Sequence, residues 1–532
     1  INLNEATAED LERLRFLSGK QIDNILLYVE THPMDSLSEL QLIPDLQDYE
    51  IRDLLPFVCV RPKEVRPPIY AKEVFKYAQH ELLARADARY IEDPKRNQQS
   101  DPIYSQFRYK FNYRNQVQAA FTLRRPTGCK AQDLLYGGYI CLKDIGHLRS
   151  LVLGNYQAHY GLGLVMTEPF RNGRQNYVMN VGLQPEGIRK YASVDGQGLH
   201  GVGTSWRYRW LDISAWYSLA KENDSIRKHN VGLNLTAQYR RWKIGITAME
   251  NIYSDTLRYY YEHARYNQNY FRGKEQFVGG VNFRWNQGIV DIFGEAAAAQ
   301  NKQRWGAGVT AGMRLTPISD LGFILLYRYF SPHFDNTWGY SFSETSRIND
   351  ENGLYIGTDI KRLKHWRFQL YGDIFYFSGI KYGIPYSPSW GYDAQVEAAY
   401  LPSSAWNMDW RFRARQKAKK DTYQARYRFN WGENNWQLRT ELTGNIVKDS
   451  LTHLTYGGLV SQYVAYAFAR VPLVLQLCAE GFYTPDWDNR IYQFEHDVLY
   501  AYSSTETITN ITYYDSNLIF FAELSFFFVL LY

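Results

Sequence analysis

Cysteine and methionine are scarce in this chain of 532 residues, at four and six. Cys59, Cys129, Cys141 and Cys478 form no CxxC pair and no metal-ligand spacing, so a thiolate metal centre is not expected. Cys129 and Cys141 either close a hairpin disulfide in an oxidising compartment or remain thiols. No stretch reaches the roughly 20 consecutive apolar residues of a membrane-crossing helix, and a mean hydropathy of −0.45 excludes a polytopic helical membrane protein. The nearest run, "LIFFAELSFFFVLLY" from Leu518 to Tyr532, is short, rich in phenylalanine and broken by Glu523 and Ser525, so a tail anchor is the lesser reading. A signal peptide is also missing, but a chain that begins at Ile1 reads as already processed, and its compartment stays open on that count.

Catalytic signatures are missing too. There is no P-loop, dinucleotide fingerprint or EF-hand, and neither His80 in "HELL" nor His159 in "YQAHYGLG" has a sequence-local partner for acid–base or zinc chemistry. The chain is therefore read as non-enzymatic, with no cofactor and no metal.

Aromatic residues, by contrast, are abundant: 45 Tyr, 28 Phe and 14 Trp. They recur in a two-residue rhythm. In "QFRYKFNYR", residues 106–114, Phe107, Tyr109, Phe111 and Tyr113 alternate with Arg108, Lys110, Asn112 and Arg114. Successive side chains of a strand point to opposite faces, so one face is aromatic and the other cationic. Val231, Leu233 and Leu235 alternate with Gly232, Asn234 and Thr236, and the same rhythm runs through 117–124, 406–413 and 422–431. Similar segments lie near 81–90, 204–219, 242–249, 276–285, 304–315, 352–374 and 435–444. Each has about the 9–11 residues a tilted strand needs to cross a bilayer.

A large soluble sandwich or propeller also alternates, but its blades repeat visibly and it does not carry rings at both ends of its strands. An all-β transmembrane barrel does, with its rings toward lipid and its polar residues toward the lumen. Some 18–24 antiparallel strands fit between residues 61 and 532, at roughly 20–25 residues per strand and connection, with the barrel itself taken as 80–532. Segments 251–275 and 331–352 are candidate outer loops, and the terminal Tyr532 suits an outer-membrane barrel.

Residues 1–60 have a different period. Leu11/Leu14, Ile22/Ile25/Leu26/Val29 and Ile51/Leu54/Leu55 recur at helical spacing, and Ser36 followed by Glu39 is a capping pair. The proline-rich "VRPKEVRPP" then breaks helix, so 61–79 reads as a linker. The stretches "INLNEATAEDLERL", "LRFLSGKQIDNILLYV" and "LQLIPDLQDYEIRDLLPFV" resemble the tandem helix-hairpin-helix domain of the competence DNA-receptor (ComEA) family. The resemblance implies a small all-α domain with two turns that approach DNA phosphates through glycine backbone. Here the glycine positions hold Phe16 and Ser18 in the first turn and Asp45 and Gln47 in the second. With four basic and twelve acidic residues, the segment carries −8 and should repel DNA. "LVLGNYQAHYGLGLVMTEPFRNGR", residues 151–174, is similar to large Gram-negative outer-membrane barrels that carry such a domain at the N-terminus.

The expectation is thus an outer-membrane barrel, in contact with lipid and lipopolysaccharide, whose acidic periplasmic helix-hairpin-helix domain docks a protein partner of an envelope assembly or secretion complex. Its turn residues Phe16, Leu17, Ser18, Asp45, Leu46 and Gln47 would meet that partner. The rival is a DNA-uptake or anionic-solute channel lined by Arg108, Arg207, Arg209, Arg284, Arg411, Arg413, Arg426 and Arg428. These arginines either attract anions or brace the lumen by pairing with inward carboxylates such as Asp87, Asp212, Glu295, Asp359, Asp373, Asp409 and Glu441, and the bracing reading is preferred.

Overall fold

The computed structural model describes residues 1–6, 10, 11, 14, 17, 19–31, 34–43, 46, 51, 54–61, 70–88, 103–126, 134–167, 178–180, 184–192, 194, 198–221, 226–257, 264–301, 304–318, 320–361, 363–403, 405–433, 435–449, 454–468, 474–485, 487–491 and 519–526. Its strands are β1 (Gln79–Ala88), β2 (Ile103–Tyr113), β3 (Val117–Arg125), β4 (Leu135–Ile145), β5 (Leu148–His159), β6 (Gly187–Lys190), β7 (Leu199–Tyr208) and β8 (Leu211–Lys221). They continue as β9 (Arg227–Tyr239), β10 (Trp242–Tyr253), β11 (Glu275–Gln287), β12 (Val290–Asn301), β13 (Arg304–Ile318), β14 (Leu321–Phe330), β15 (Glu351–Ile360) and β16 (Trp366–Phe377). The last are β17 (Ser389–Tyr400), β18 (Trp406–Lys417), β19 (Lys420–Glu433), β20 (Trp436–Asp449), β21 (Thr455–Ala467), β22 (Val474–Tyr483) and β23 (Ile519–Phe526).

Apart from β6, which pairs with β5 alone, each strand pairs antiparallel with its neighbours along the meander in one sheet of 23 strands. The short β6 and the longer β7 lie end to end along β5, pairing with Tyr156–His159 and Leu148–Tyr156, so the meander has 22 strand positions. Among the described residues no helix is long and apolar enough to cross a membrane.

Burial follows the alternation but inverts it. Phe107 is 39 % exposed while its neighbour Arg108 is 4 % exposed. In β14, Tyr327 and Tyr329 are each 42 % exposed around Arg328 at 0 %. In β9, Val231, Leu233 and Leu235 are exposed while Asn230, Asn234 and Thr236 are buried. A sheet with this sign hides its polar face and shows its oily one, an arrangement suited to a hydrocarbon surround rather than to water.

Tight turns at 114–116, 146–147, 209–210, 240–241 and 288–289 mark one end of the barrel, and the long connections 160–186, 254–274 and 331–350 mark the other. The rim at the tight-turn end carries exposed Trp206, Tyr208, Trp210, Tyr239, Trp242 and Trp436. These are rings of the kind that settle at a membrane interface. The segments 204–219 and 352–374 are each two strands, split by turns at 209–210 and 361–365.

Residues 2–58 gather their own apolar cluster, including Leu3, Leu11, Ile22, Ile25, Leu40, Ile43 and Leu54. Helix α1 (Gly19–Thr31) contributes Ile22 and Ile25, and a capping box of Ser36 and Glu39 opens the turn Leu37–Leu42. Part of the expected linker is folded: α2 (Ala71–Lys76) sets Phe75 6.1 Å from Phe111, and Tyr113 donates to Glu73 at 3.2 Å. The prolines of that stretch at 62, 67 and 68 lie outside the described residues.

Candidate functional site

Two connections fold inward and meet inside the barrel. The first, 160–167, turns on Gly161 (φ +64°) and Gly163 (φ +82°), backbone conformations that L side chains rarely adopt. A Cβ on Gly161 would lie 2.7 Å from Glu295 Oε2. That approach is needed because Glu295 of β12 accepts hydrogen bonds from the backbone N–H groups of Leu162 (2.5 Å), Leu164 (3.1 Å) and Val165 (3.2 Å). Glu295 was expected among the partners of lumen arginines; it instead clasps a loop, because three converging N–H donors satisfy a carboxylate as a cation would.

The second connection, 331–350, was expected as an outer loop, yet Phe334, Asp335, Asn336, Phe342, Ile348 and Asn349 are buried. Asn336 donates to the carbonyls of both Leu164 and Val165 at 2.7 Å, and Thr167 N–H donates to Trp338 O at 3.0 Å. Asp335 accepts from Phe271 N–H at 2.6 Å and Arg347 at 2.9 Å. Tyr156, Tyr160, Leu164, Trp216, Met249 and Phe334 share one apolar core, with Tyr160 stacked on Trp216 at 5.6 Å. Trp216 faces inward over Gly232, where any Cβ would collide, and donates to Asn230 at 2.7 Å. The sequence leaves open whether the lumen is filled; on the side of β4–β16 it holds a packed core.

Ion pairs tie the wall strands to one another and the filling to the wall. Arg328, fully buried, donates to Glu351 (2.6 Å) and Asp373 (2.7 and 3.1 Å). Glu344 of the inward loop accepts from Arg415 and, at 3.2 Å, pairs with Lys417. In the connection after β16, Lys381 donates to the carbonyls of Asn349 and Arg347, and burial pushes its ammonium down to about 8.

The expected lumen arginines sort themselves by this geometry. Arg284 grips Asp291 through two bonds of 2.8 Å, and Arg207 grips Asp212 through two of 2.7 Å. On β18 and β19, Arg411 donates to Glu397 at 2.7 Å, Arg413 to Asp393 at 2.8 Å, Arg426 to Asp409 at 2.9 Å and Arg428 to Glu441 at 2.8 Å. Asp359 holds Arg367 at 3.0 Å. Arg108 is buried on the inner face of β2. Arg209 is a correction: it occupies the β7–β8 turn at φ +55°, exposed and 5.8 Å from the Tyr208 ring, where strand alternation no longer assigns a face. The side chain of Asp87 lies outside the described residues.

Arg411 and Arg426 stand directly opposite each other across β18–β19, an arrangement of like charges that a soluble sheet avoids. Glu397, directly opposite Arg411 on β17, and Asp409, diagonal to Arg426, make it tolerable. Arg439, beyond Arg428, leans on the neutral Asn430 at 2.8 Å.

Of the six turn residues of the N-terminal segment, Leu17 and Leu46 are buried in its own apolar cluster, at 8 % and 2 % exposure. Their side chains hold the turns down and do not face outward. Phe16, Ser18, Asp45 and Gln47 lie outside the described residues, as does Cys129, the candidate disulfide partner of the buried Cys141. His80 sits on the outer face against the Tyr109 hydroxyl at 2.7 Å, and His159 inside against Thr167 at 2.5 Å. Among the described residues no cluster of His, Cys, Asp and Glu has metal-binding geometry.

No protein-family model matches the chain, and no curated protein matches it. Solved structures do. The chain is similar to the ferric enterobactin receptor PfeA from Pseudomonas aeruginosa, at 9 % identity over 79 % of this chain and 76 % of that one, with a TM-score of 0.44. It is similar to the copper transporter OprC at 10 % identity over 76 % and 73 %, TM-score 0.42. A bacterial polysaccharide outer membrane secretin aligns at 6 % identity over 52 % of this chain and 91 % of that one, TM-score 0.28.

Proposed function

We propose that this chain is a non-enzymatic outer-membrane barrel that holds an acidic helix-hairpin-helix segment, residues 1–60, in the periplasm, where it docks a protein partner of an envelope assembly or secretion complex. The observation that carries the reading is the inverted burial of the strands, with rings outside and ion pairs inside. The packed core between β4 and β16 supports an anchoring role over a wide pore. In single-chain barrels the short turns face the periplasm. β1 starts at the tight-turn end, Gln79 pairing with Asn112 beside the 114–116 turn, so the chain before it approaches from that side.

A net charge of −8 on residues 1–60 suits a basic protein surface and opposes DNA. The test is to purify the intact chain in mild detergent after crosslinking in cells, beside a variant with Asp35→Lys, Asp48→Lys and Glu50→Lys. A stoichiometric partner retained by the parent and lost by the variant is expected. Duplex DNA binding that weakens steeply with salt would overturn the docking reading.

The directly opposed arginines of β18 and β19 favour a second reading, an anionic-solute channel. Anion-selective conductance of the unaltered protein in a planar bilayer would establish it.

A further inference from the structure

Helix α1 is buried on two sides. Ile22 and Ile25 enter the cluster of residues 2–58, with Leu26 and Val29 packed against it. Leu27 lies about 160° around the helix from the middle of that face, and it is buried as well, at 8 % exposure. Its companions belong to the barrel interior: Leu162, Met179, Phe293, Ile324 and Tyr355 share its cluster. Gln21 and Asn24, spaced by three residues along the stripe that ends at Leu27, are buried too, at 6 % and 5 %. A helix that served only its own small domain would leave this stripe in water.

A second contact falls elsewhere on the wall. Asn115, in the β2–β3 turn, donates to Asp10 at 2.9 Å. The strands β2–β3 and β12–β15 lie about half the sheet apart in the pairing order. The domain thus reaches the β2–β3 turn through Asp10 and, through Leu27, the cluster that Leu162 and Met179 share with β12–β15. The depth agrees: Phe293 and Ile324 lie close to the tight-turn ends of β12 and β14, at the end where residues 1–78 join the barrel.

We infer that the N-terminal domain is a stopper seated in the tight-turn mouth of its own barrel, closing an anion-accepting passage along the arginine wall of β18–β20. The packed core lies on the β4–β16 side, and Arg411, Arg426, Arg428 and Arg439 line the inner face of β18–β20 away from it. Closure rests on the apolar seat of Leu27 and the polar latch of Asp10 on Asn115. A seat of this size is displaceable without unfolding either part, because the core of residues 2–58 is separate from the cluster that Leu27 enters.

The experiment is single-channel recording of the full chain in planar bilayers, with Leu27→Asp to unseat the stopper and Asn115→Ala to release the latch from the barrel side. Heat-dependent mobility on a detergent gel confirms that each variant keeps a folded barrel. The unaltered protein is expected to stay closed. Leu27→Asp should open steps at least tenfold more often, with chloride preferred over potassium, and Asn115→Ala should give rarer openings of the same size. If Leu27→Asp impairs folding, Gln21→Ala with Asn24→Ala replaces it on the same stripe. Equal conductance of parent and variants, or a folded variant that never opens, would overturn the stopper. Frequent anion conductance in the unaltered protein would also overturn it, and would support the open-channel reading instead.

Discussion

The walls from β4 to β16 and from β17 to β20 alternate in the same way, yet they neutralise their inner faces by different means. The first adds covering chain to its ion pairs, among them Arg284–Asp291 and Arg367–Asp359. Glu295 there meets three backbone N–H groups, Arg328 meets two carboxylates at zero exposure, and Trp216 lies over a glycine. The second covers itself with charge, through Arg411–Glu397, Arg426–Asp409 and Arg428–Glu441, whose side chains keep 13–26 % exposure on the arginine side. The difference shows that a two-faced strand does not dictate a wet lumen. Inward connections can pack part of the interior like a protein core, while ion pairs balance the polar face on both walls.

Predictions that would break this contrast begin at the packed side. Replacing Glu295 by Ala leaves three buried N–H donors without their acceptor, at about 1–3 kcal/mol each. Denaturant unfolding followed by tryptophan fluorescence should show a loss of several kcal/mol, with Glu295→Gln restoring part of it through its remaining carbonyl oxygen. Arg328→Met strands Glu351 and Asp373 in a dry site and should cost about 3–5 kcal/mol by the same measurement. On the other wall, Arg411→Gln should cost about 1 kcal/mol or less, because water reaches its pair with Glu397. Equal losses on the two walls would erase the distinction.

The smallest effect is a pH dependence. Lys381 has a folded-state value of about 8 against an ordinary 10.5, owing first to burial, with Glu351 and Asp350 pulling the other way. Between those values the unfolded chain holds a proton that the folded chain has released, so stability rises with pH across that window and is level below it. The difference in unfolding midpoint between the parent and Lys381→Met should therefore change between pH 8 and 10, and stay constant between pH 6 and 7.5.

Much of the wall was legible because its contrast is strong. Strands β2, β9, β18, β19 and β20 pair ring or aliphatic positions with charged or amide ones, and period two stands out of the letters. β12, "VDIFGEAAAAQN", has alanine on both faces and lacks that contrast, and 204–219 hides a turn because Arg209 and Trp210 extend the polar–aromatic rhythm through it. The cross-strand arginine pairs were readable as a pattern, since inward carboxylates lay on adjacent segments. The role of Glu295 was not, because its partners are backbone donors of a loop 130 residues away, and backbone groups carry no letter. Likewise "SPHFDNTWGYSFSETSRIND" reads as a solvated loop, because its Asp and Asn side chains look identical whether they meet water or buried N–H groups.

The central claim is that the outer face of this sheet lies in hydrocarbon. Spin labels placed singly from 230 to 236 along β9, in bilayers, give the direct measurement through collisions with oxygen and with a water-soluble nickel chelate. The account predicts high oxygen and low chelate access at 231, 233 and 235, and a fall in oxygen access at 230, 232, 234 and 236, in a strict period of two. Chelate reaching 231, 233 and 235 as freely as it reaches an exposed loop would contradict it.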